Sequence, residues 1–297
     1  MQSLNIGLMG FGRIGRNLLR ISLNDPSIKI NAIADTADKE NLAYLLKYDS
    51  IYGTLHKEIS LNEEGLQVDQ EQINFFDWAS PNNTDWAKEG IDFVIQATGK
   101  SQSKNDCMGH IESGAKQVIL ASTPTDFNEI PIYVPGVLDE EFDFDSKVIS
   151  LGSNTSIAAG PVLKILDDQY GIQNAYISTI HGYSNSNRLS DVAGEGFRVN
   201  RAAGENIIPR MTQSAKVIQH SIPSLKNKLA SSSMNVPVPD GSTVDLTIHF
   251  ENNVAVEEIN SYLEHEVKNK EGTLMKCKYG DTFSIDTGKF TGRSPND

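Results

Sequence analysis

The sequence predicts an α/β fold, a doubly wound parallel sheet followed by a second, α+β domain. Three observations carry that expectation. Gly10-Phe11-Gly12-Arg13-Ile14-Gly15 lies between a short apolar run, Leu4 to Met9, and a helical stretch, Arg13 to Ile21. Apolar runs then alternate with helical segments as far as about residue 150, the pattern of repeated strand–helix–strand crossovers. Crossover signals thin out beyond that point, which favours a largely antiparallel sheet in the second half. The expected boundaries are 1–152 for the first domain and 153–269 for the second, with 270–297 as an unmatched tail.

In a dinucleotide-binding turn the three glycines do different work. Gly10 permits the tight strand-to-helix turn, Gly12 lets the backbone approach a pyrophosphate, and Gly15 lets helix pack closely on strand. The helix beginning at Arg13 and Ile14 would offer its unpaired N–H groups to the anion. Asp35 ends a second apolar run, Ile28 to Ala34, at the distance expected for a ribose-binding acid. A carboxylate there accepts from ribose hydroxyls and repels a 2′-phosphate, so the expected cofactor is NAD rather than NADP.

The next segments continue the alternation. Asn41 to Lys47 places Leu42, Leu45 and Leu46 at helical spacing. Leu61 to Phe76 alternates polar and apolar residues around a turn at Asn62-Glu63-Glu64-Gly65. Ile91 to Ile95 reads as a buried parallel strand, and the loop at its carboxyl end makes Thr98 and Gly99 expected cofactor neighbours. A helix follows over Lys104 to Ser113, then a strand at Val118 to Ala121. In the second half, periodicity predicts a helix from Val162 to Tyr170, strands at Ala175 to Ile180 and Thr243 to Glu251, and a helix over Val256 to Val267.

Composition narrows the function classes. The 297 residues carry 26 Lys and Arg against 39 Asp and Glu, a formal net charge of −13, which argues against nucleic-acid or membrane surfaces as partners. Cys107 and Cys277 make neither a disulfide framework nor a metal-ligand set, so no metal is expected. The sequence shows no signal peptide and no apolar run near the ~20 residues that span a bilayer, so a cytoplasmic location is expected.

The ordered motifs together resemble the glyceraldehyde-3-phosphate dehydrogenase family. They are Gly10–Gly15, Asp35, Leu45-Leu46-Lys47-Tyr48-Asp49-Ser50, Ser153-Asn154, His181, Arg201–Pro209 and Val236–Leu246, spread over residues 4 to 268. The resemblance implies a Rossmann domain, a catalytic α+β domain and a homotetramer. It also implies the glycolytic, NAD-dependent oxidation of a phosphorylated aldehyde to an acyl phosphate. In that reaction a cysteine thiolate attacks the aldehyde, a histidine takes the proton, and phosphate cleaves the thioester left after hydride transfer. By resemblance, His181 stands at the base position, and Ser153, Ser184, Arg201 and Thr212 match the substrate and phosphate neighbourhood.

Three departures set the expectation for activity. The family's thiol follows a Ser-Asn-Ala-Ser run in a Ser-Cys-Thr-Thr-Asn signature; here Ser153-Asn154-Thr155-Ser156 is followed directly by Ile157, so the cysteine is expected to be replaced at Ile157 or, if three residues are deleted before the helix, lost altogether. Asn235 replaces an arginine that would grip the substrate phosphate. The family's closing helix is not recognisable. Instead Glu271 to Asp297 resembles the start of ATP-dependent phosphoenolpyruvate carboxykinases, with Arg293 at the carboxylate-contact position but no phosphate loop anywhere in the chain. The expected function is therefore that of a glyceraldehyde-3-phosphate dehydrogenase-like oxidoreductase with little or no activity. The alternatives are an inactive NAD-binding protein with an assembly or regulatory role, or a fused or truncated gene product.

Overall fold

A computed structural model describes residues 3–77, 80–137, 139, 142–194 and 196–269. The chain divides into two compact units. One comprises residues up to Tyr133 together with Phe142–Gly152; the other comprises the segment beginning at Val134 together with the chain from Ser153 onward.

The first unit follows the alternation read from the sequence: β1 (Leu4–Met9), α1 (Arg13–Ser22), β2 (Ile28–Ala34) and α2 (Lys39–Lys47). A small ribbon of β3 (Tyr48–Asp49) and β4 (Gly53–Thr54) precedes β5 (Ile59–Leu61), β6 (Gly65–Val68) and β7 (Glu71–Phe76). Then come β8 (Phe93–Gln96), α3 (Lys104–Glu112), β9 (Gln117–Leu120) and β10 (Val148–Ser150). The eight-stranded sheet runs β10-β9-β8-β1-β2-β7-β6-β5, parallel from β10 to β7 and antiparallel at β6 and β5. Strand order reverses beside β1, whose neighbours are β2 on one side and β8 on the other, and ligands of such sheets bind at that switch point.

Both faces of the sheet are covered. Ile6, Leu8, Ile30 and Ile33 pack with Leu19 of α1 and Leu42 and Leu46 of α2. On the opposite face Met9, Ala32 and Ala34 meet Trp86, Ile91 and Val94. Trp86 fits because β1 carries a glycine beneath it: a Cβ on Gly7 would stand 2.6 Å from the indole ring. The buried indole and the buried His110 of α3 share a hydrogen bond, Trp86 Nε1 donating to His110 Nδ1 at 2.9 Å.

In the second unit α4 (Asn154–Tyr170) leads into β11 (Ile172–Gly182), β12 (Ile208–Arg210), α5 (Ser214–Ser221), β13 (Leu229–Val236), β14 (Ser242–Phe250) and α6 (Val256–Asn269). The sheet order is β12-β13-β11-β14, with two antiparallel pairings and one parallel pairing, β11 with β13. Periodicity alone places the start of α4 at Val162, but the helix begins at Asn154. A reciprocal cap sets that start: Ser153 Oγ accepts from the Ser156 N–H at 3.1 Å, and Ser156 Oγ accepts from the Ser153 N–H at 2.9 Å. Pro161 is carried inside the helix, where it forgoes one backbone bond.

Burial pushes the pKa of His110 down from 6.5 to about 4. Between those values the unfolded chain binds a proton that the folded chain does not, so this histidine lowers stability as pH falls through the window. The expected loss between neutral pH and pH 4 is roughly 3 kcal/mol more in the native chain than in His110→Gln. Chemical denaturation of both proteins at stepped pH measures it; parallel pH curves would show that His110 does not titrate in this way.

Candidate functional site

In the first unit the glycine turn sits at the switch point. Gly10 has a φ of +101°, and a Cβ there would lie 2.9 Å from the backbone of Ala97 and Thr98 at the end of β8. Gly15 packs the first turn of α1 onto Gly10, since an added Cβ would meet the Gly10 carbonyl oxygen at 2.3 Å. Around Gly12 nothing lies within 4 Å of where a Cβ would point, so that flank of the turn is open.

The α1 terminus is uncapped by any side chain and has no acidic residue in its first turn. Its first intrahelical bond is the Arg16 N–H to Gly12 carbonyl, at 3.0 Å. The N–H groups of Arg13, Ile14 and Gly15 precede that bond and suit an anion. Asp35, at the carboxyl end of β2, is held beside the turn. Its Oδ2 accepts from the Phe11 N–H at 2.7 Å and its Oδ1 from the Ala37 N–H at 2.8 Å. A fixed carboxylate, an open glycine and a free helix terminus converge on one edge of the sheet. Thr98 and Gly99 lie on the loop that closes the same edge, with Gly99 at a φ of +68°. The donor set, shape and charge of this edge fit a dinucleotide.

The second unit gathers a different set of groups. His181 lies near the end of β11, where its register partners are Asn235 on β13 and Ser242 on β14. Its Nδ1 is 2.6 Å from Ser242 Oγ and its Nε2 is 3.5 Å from Thr155 Oγ1 on the first turn of α4. Partial burial lowers the pKa of His181, which keeps the imidazole neutral near pH 7 and able to take a proton. Asn235 is buried and donates from Nδ2 to the Gly182 carbonyl at 3.0 Å, so the amide is tied into the sheet beside the histidine.

The remaining sequence-derived positions divide. Ser153 caps α4 and so shares the site with His181. Ser184, Arg201 and Thr212 bond within their own loops. The Ser184 hydroxyl pairs with that of Ser186 at 2.9 Å, and Arg201 Nε donates to Asp191 at 3.1 Å in an exposed pair. Thr212 pairs with the Ser214 hydroxyl at 2.7 Å and accepts from the Ser214 N–H at 3.2 Å, at the start of α5. Cys107 is buried and its thiol is pushed up to about 11 by burial, far from a nucleophile's range. Cys277, Arg293 and the rest of 271–297 lie outside the described residues.

One position at this site is easily missed in the sequence. Asn154, exposed, is the first residue of α4 and precedes the threonine that faces His181, whereas Ile157 lies further along the helix. The available signal is the pair of hydroxyl residues that follows it: Ser153-Asn154-Thr155-Ser156 overlays Ser-Cys-Thr-Thr without a gap.

A parallel dinucleotide-type sheet, followed by a mixed-sheet unit with a half-buried histidine near the end of an interior strand, fits the class of two-domain nicotinamide-dependent dehydrogenases. Comparison with known proteins narrows the class. Residues 4–104 match the glyceraldehyde 3-phosphate dehydrogenase NAD binding domain, and residues 153–293 match the C-terminal domain of the same enzymes. A glyceraldehyde-3-phosphate dehydrogenase of Geobacillus stearothermophilus is 40% identical over 263 residues, 88% of this chain and 78% of the relative. One from Borreliella burgdorferi is 40% identical over 266 residues, with 88% and 78% covered. Another, glyceraldehyde-3-phosphate dehydrogenase 1 of Bacillus cereus, is 34% identical over 293 residues, 98% of this chain and 87% of the relative. The chain belongs to the glyceraldehyde-3-phosphate dehydrogenase family, and its first unit is the NAD-binding domain.

Two substitutions test the cofactor edge. Asp35→Asn removes the charge while keeping one acceptor oxygen, and it should weaken NAD binding by roughly tenfold and narrow the preference over NADP. Calorimetric titration with each cofactor measures this; unchanged affinity for both would remove Asp35 from the site. Gly15→Ala forces a side chain onto the Gly10 carbonyl and should cost about 2–4 kcal/mol of stability by denaturant unfolding.

Proposed function

We propose that this chain binds NAD through Gly10, Gly12, Arg13, Ile14, Gly15, Asp35, Thr98 and Gly99, and that it has lost the chemistry of its family. The observation that carries this reading is the residue at the head of α4, Asn154. A phosphorylating aldehyde dehydrogenase needs a thiolate that attacks the carbonyl carbon, holds the acyl group after hydride leaves, and departs when phosphate attacks. An amide is neither nucleophile nor leaving group for that sequence. His181 keeps the geometry of a base, but among the described residues of its unit there is no thiol to give up a proton.

In this reading the vacated position is Asn154, not Ile157. Ser153, Thr155 and Ser156 keep the hydroxyl pattern of the family signature around it. Asn235 adds a second loss, because a neutral amide bonded to Gly182 replaces a cation for the substrate phosphate. Ser153, Ser184, Arg201 and Thr212 would still offer a weakened site to a phosphorylated ligand. The chain is then an enzyme-derived NAD-binding protein with an assembly or regulatory role, in the cytoplasm.

The assay combines NAD, phosphate and glyceraldehyde 3-phosphate with the native chain, Asn154→Cys and Ile157→Cys, following reduced cofactor by absorbance. The native chain and Ile157→Cys should show no turnover above background. Asn154→Cys should show measurable turnover that thiol alkylation abolishes, and Asn154→Cys with Asn235→Arg should show more. Native turnover that survives alkylation would overturn the reading.

We carry the family's homotetramer forward in the same way. Phe197 and Met211 are each 95% exposed, in a segment that also exposes Leu189 and Ile207. Apolar side chains so displayed favour burial against another copy. Light scattering that returned the monomer mass at micromolar concentration would refute this. We further propose that residues 271–297, although the family match runs to residue 293, arose by fusion of reading frames and add no second activity. An uninterrupted locus with this ending in independent isolates would refute the fusion.

A further inference from the structure

A buried polar chain in the first unit runs from the back of the sheet to the rim of the cofactor edge. Trp86 lies on Gly7 and donates to His110 Nδ1 at 2.9 Å. Indole nitrogen is only a donor, so Nδ1 must be the bare nitrogen and Nε2 must carry the hydrogen. That hydrogen faces Gln96 Oε1 at 3.1 Å. The side-chain amide of Gln96 is thereby oriented, and its Nε2 donates outward to Thr98 Oγ1 at 3.0 Å and to the Lys100 carbonyl at 3.1 Å. Every link has one possible direction.

The receiving loop needs such support. Gly99 has a φ of +68° and Ser101 a φ of +53°, the latter a left-handed conformation that a serine adopts at a cost. Thr98 closes the loop locally, its hydroxyl accepting from the Lys100 N–H at 3.1 Å. The loop's first residues are those whose backbone packs against the Gly10 turn, where a Cβ would stand 2.9 Å away. Trp86, His110 and Gln96 are all buried, so the orientation is shielded from water. Burial also keeps the imidazole neutral across the physiological range, and no charged neighbour contributes to its shift.

We propose that His110 is a positioning residue for the cofactor, acting through Gln96 to hold the 98–101 loop in the shape that walls one side of the NAD edge. The proposal rests on the NAD-binding reading of that edge. It differs from a purely structural role for a satisfied core histidine, which would affect stability but leave the loop and the cofactor affinity unchanged.

Three variants of the full chain test it: His110→Leu, which breaks the chain; His110→Gln, which retains a donor and an acceptor; and Gln96→Met, which cuts the last link while keeping the volume. Each is titrated with NAD below its melting temperature, and amide hydrogen exchange is followed over 98–103 without cofactor. His110→Leu and Gln96→Met should each weaken NAD by roughly tenfold and speed exchange in the loop, with His110→Gln recovering most of both. Should His110→Leu fail to fold, Gln96→Met decides alone. Folded variants with native exchange and native affinity would overturn the proposal. Faster exchange in a chain that never bound NAD would overturn the cofactor reading and support the coupling between His110 and the loop.

Discussion

One backbone constraint shapes the cofactor edge of the first unit: the approach of the Gly10 turn to the backbone that ends β8. No side chain fits between them, because a Cβ would stand 2.9 Å from Ala97 and Thr98. The approach brings the ends of β1 and β8 together at the point where strand order reverses, and so creates the edge at which Asp35 and the α1 terminus meet. The open flank at Gly12 and the hydrogen bond from the Phe11 N–H to Asp35 follow from the turn that this contact requires. A second close approach, the indole of Trp86 on Gly7, frees a polar interior on the same face to reach the same edge.

Under the proposed function, the second unit keeps the geometry of its site without the reactive group. The cap by Ser153 and Ser156, the register of β11 between β13 and β14, and the placement of Thr155 against His181 are all intact. These features are maintained by backbone bonding and burial, which do not depend on whether the first helical residue is a thiol or an amide. Chemistry is different. It needs one atom of the right nucleophilicity at one position, so a single replacement removes the reaction without disturbing the fold. The native backbone at His181 is therefore compatible with an inert site.

Much of the first unit was legible in the sequence because its signals are local. The strands Leu4–Met9 and Ile28–Ala34, the turn at Asn62–Glu64 and the helix from Lys104 follow directly from periodicity and turn residues. The start of α4 was not, since Asn154 to Gly160 is made mostly of small residues, with Ile157 its one large apolar side chain and no helical stripe. Its helicity comes from a side-chain cap and from burial of Ala159 and the residues beyond, and neither is visible as hydrophobic period. Shifting that start also shifts which residue heads the helix, and with it the position assigned to the absent thiol.

By itself the sequence determined the fold class and NAD as the cofactor, while it placed the missing thiol at Ile157 rather than at the head of α4. Those depend on residue identity and short spacing. Only the tertiary structure decided that Thr155 faces His181, that Asn235 is spent on the Gly182 carbonyl, and that Trp86, His110 and Gln96 form one directed chain. Each of those joins groups from separate strands, helices or loops. Their distances are set by sheet register and packing, which no local pattern in the chain encodes.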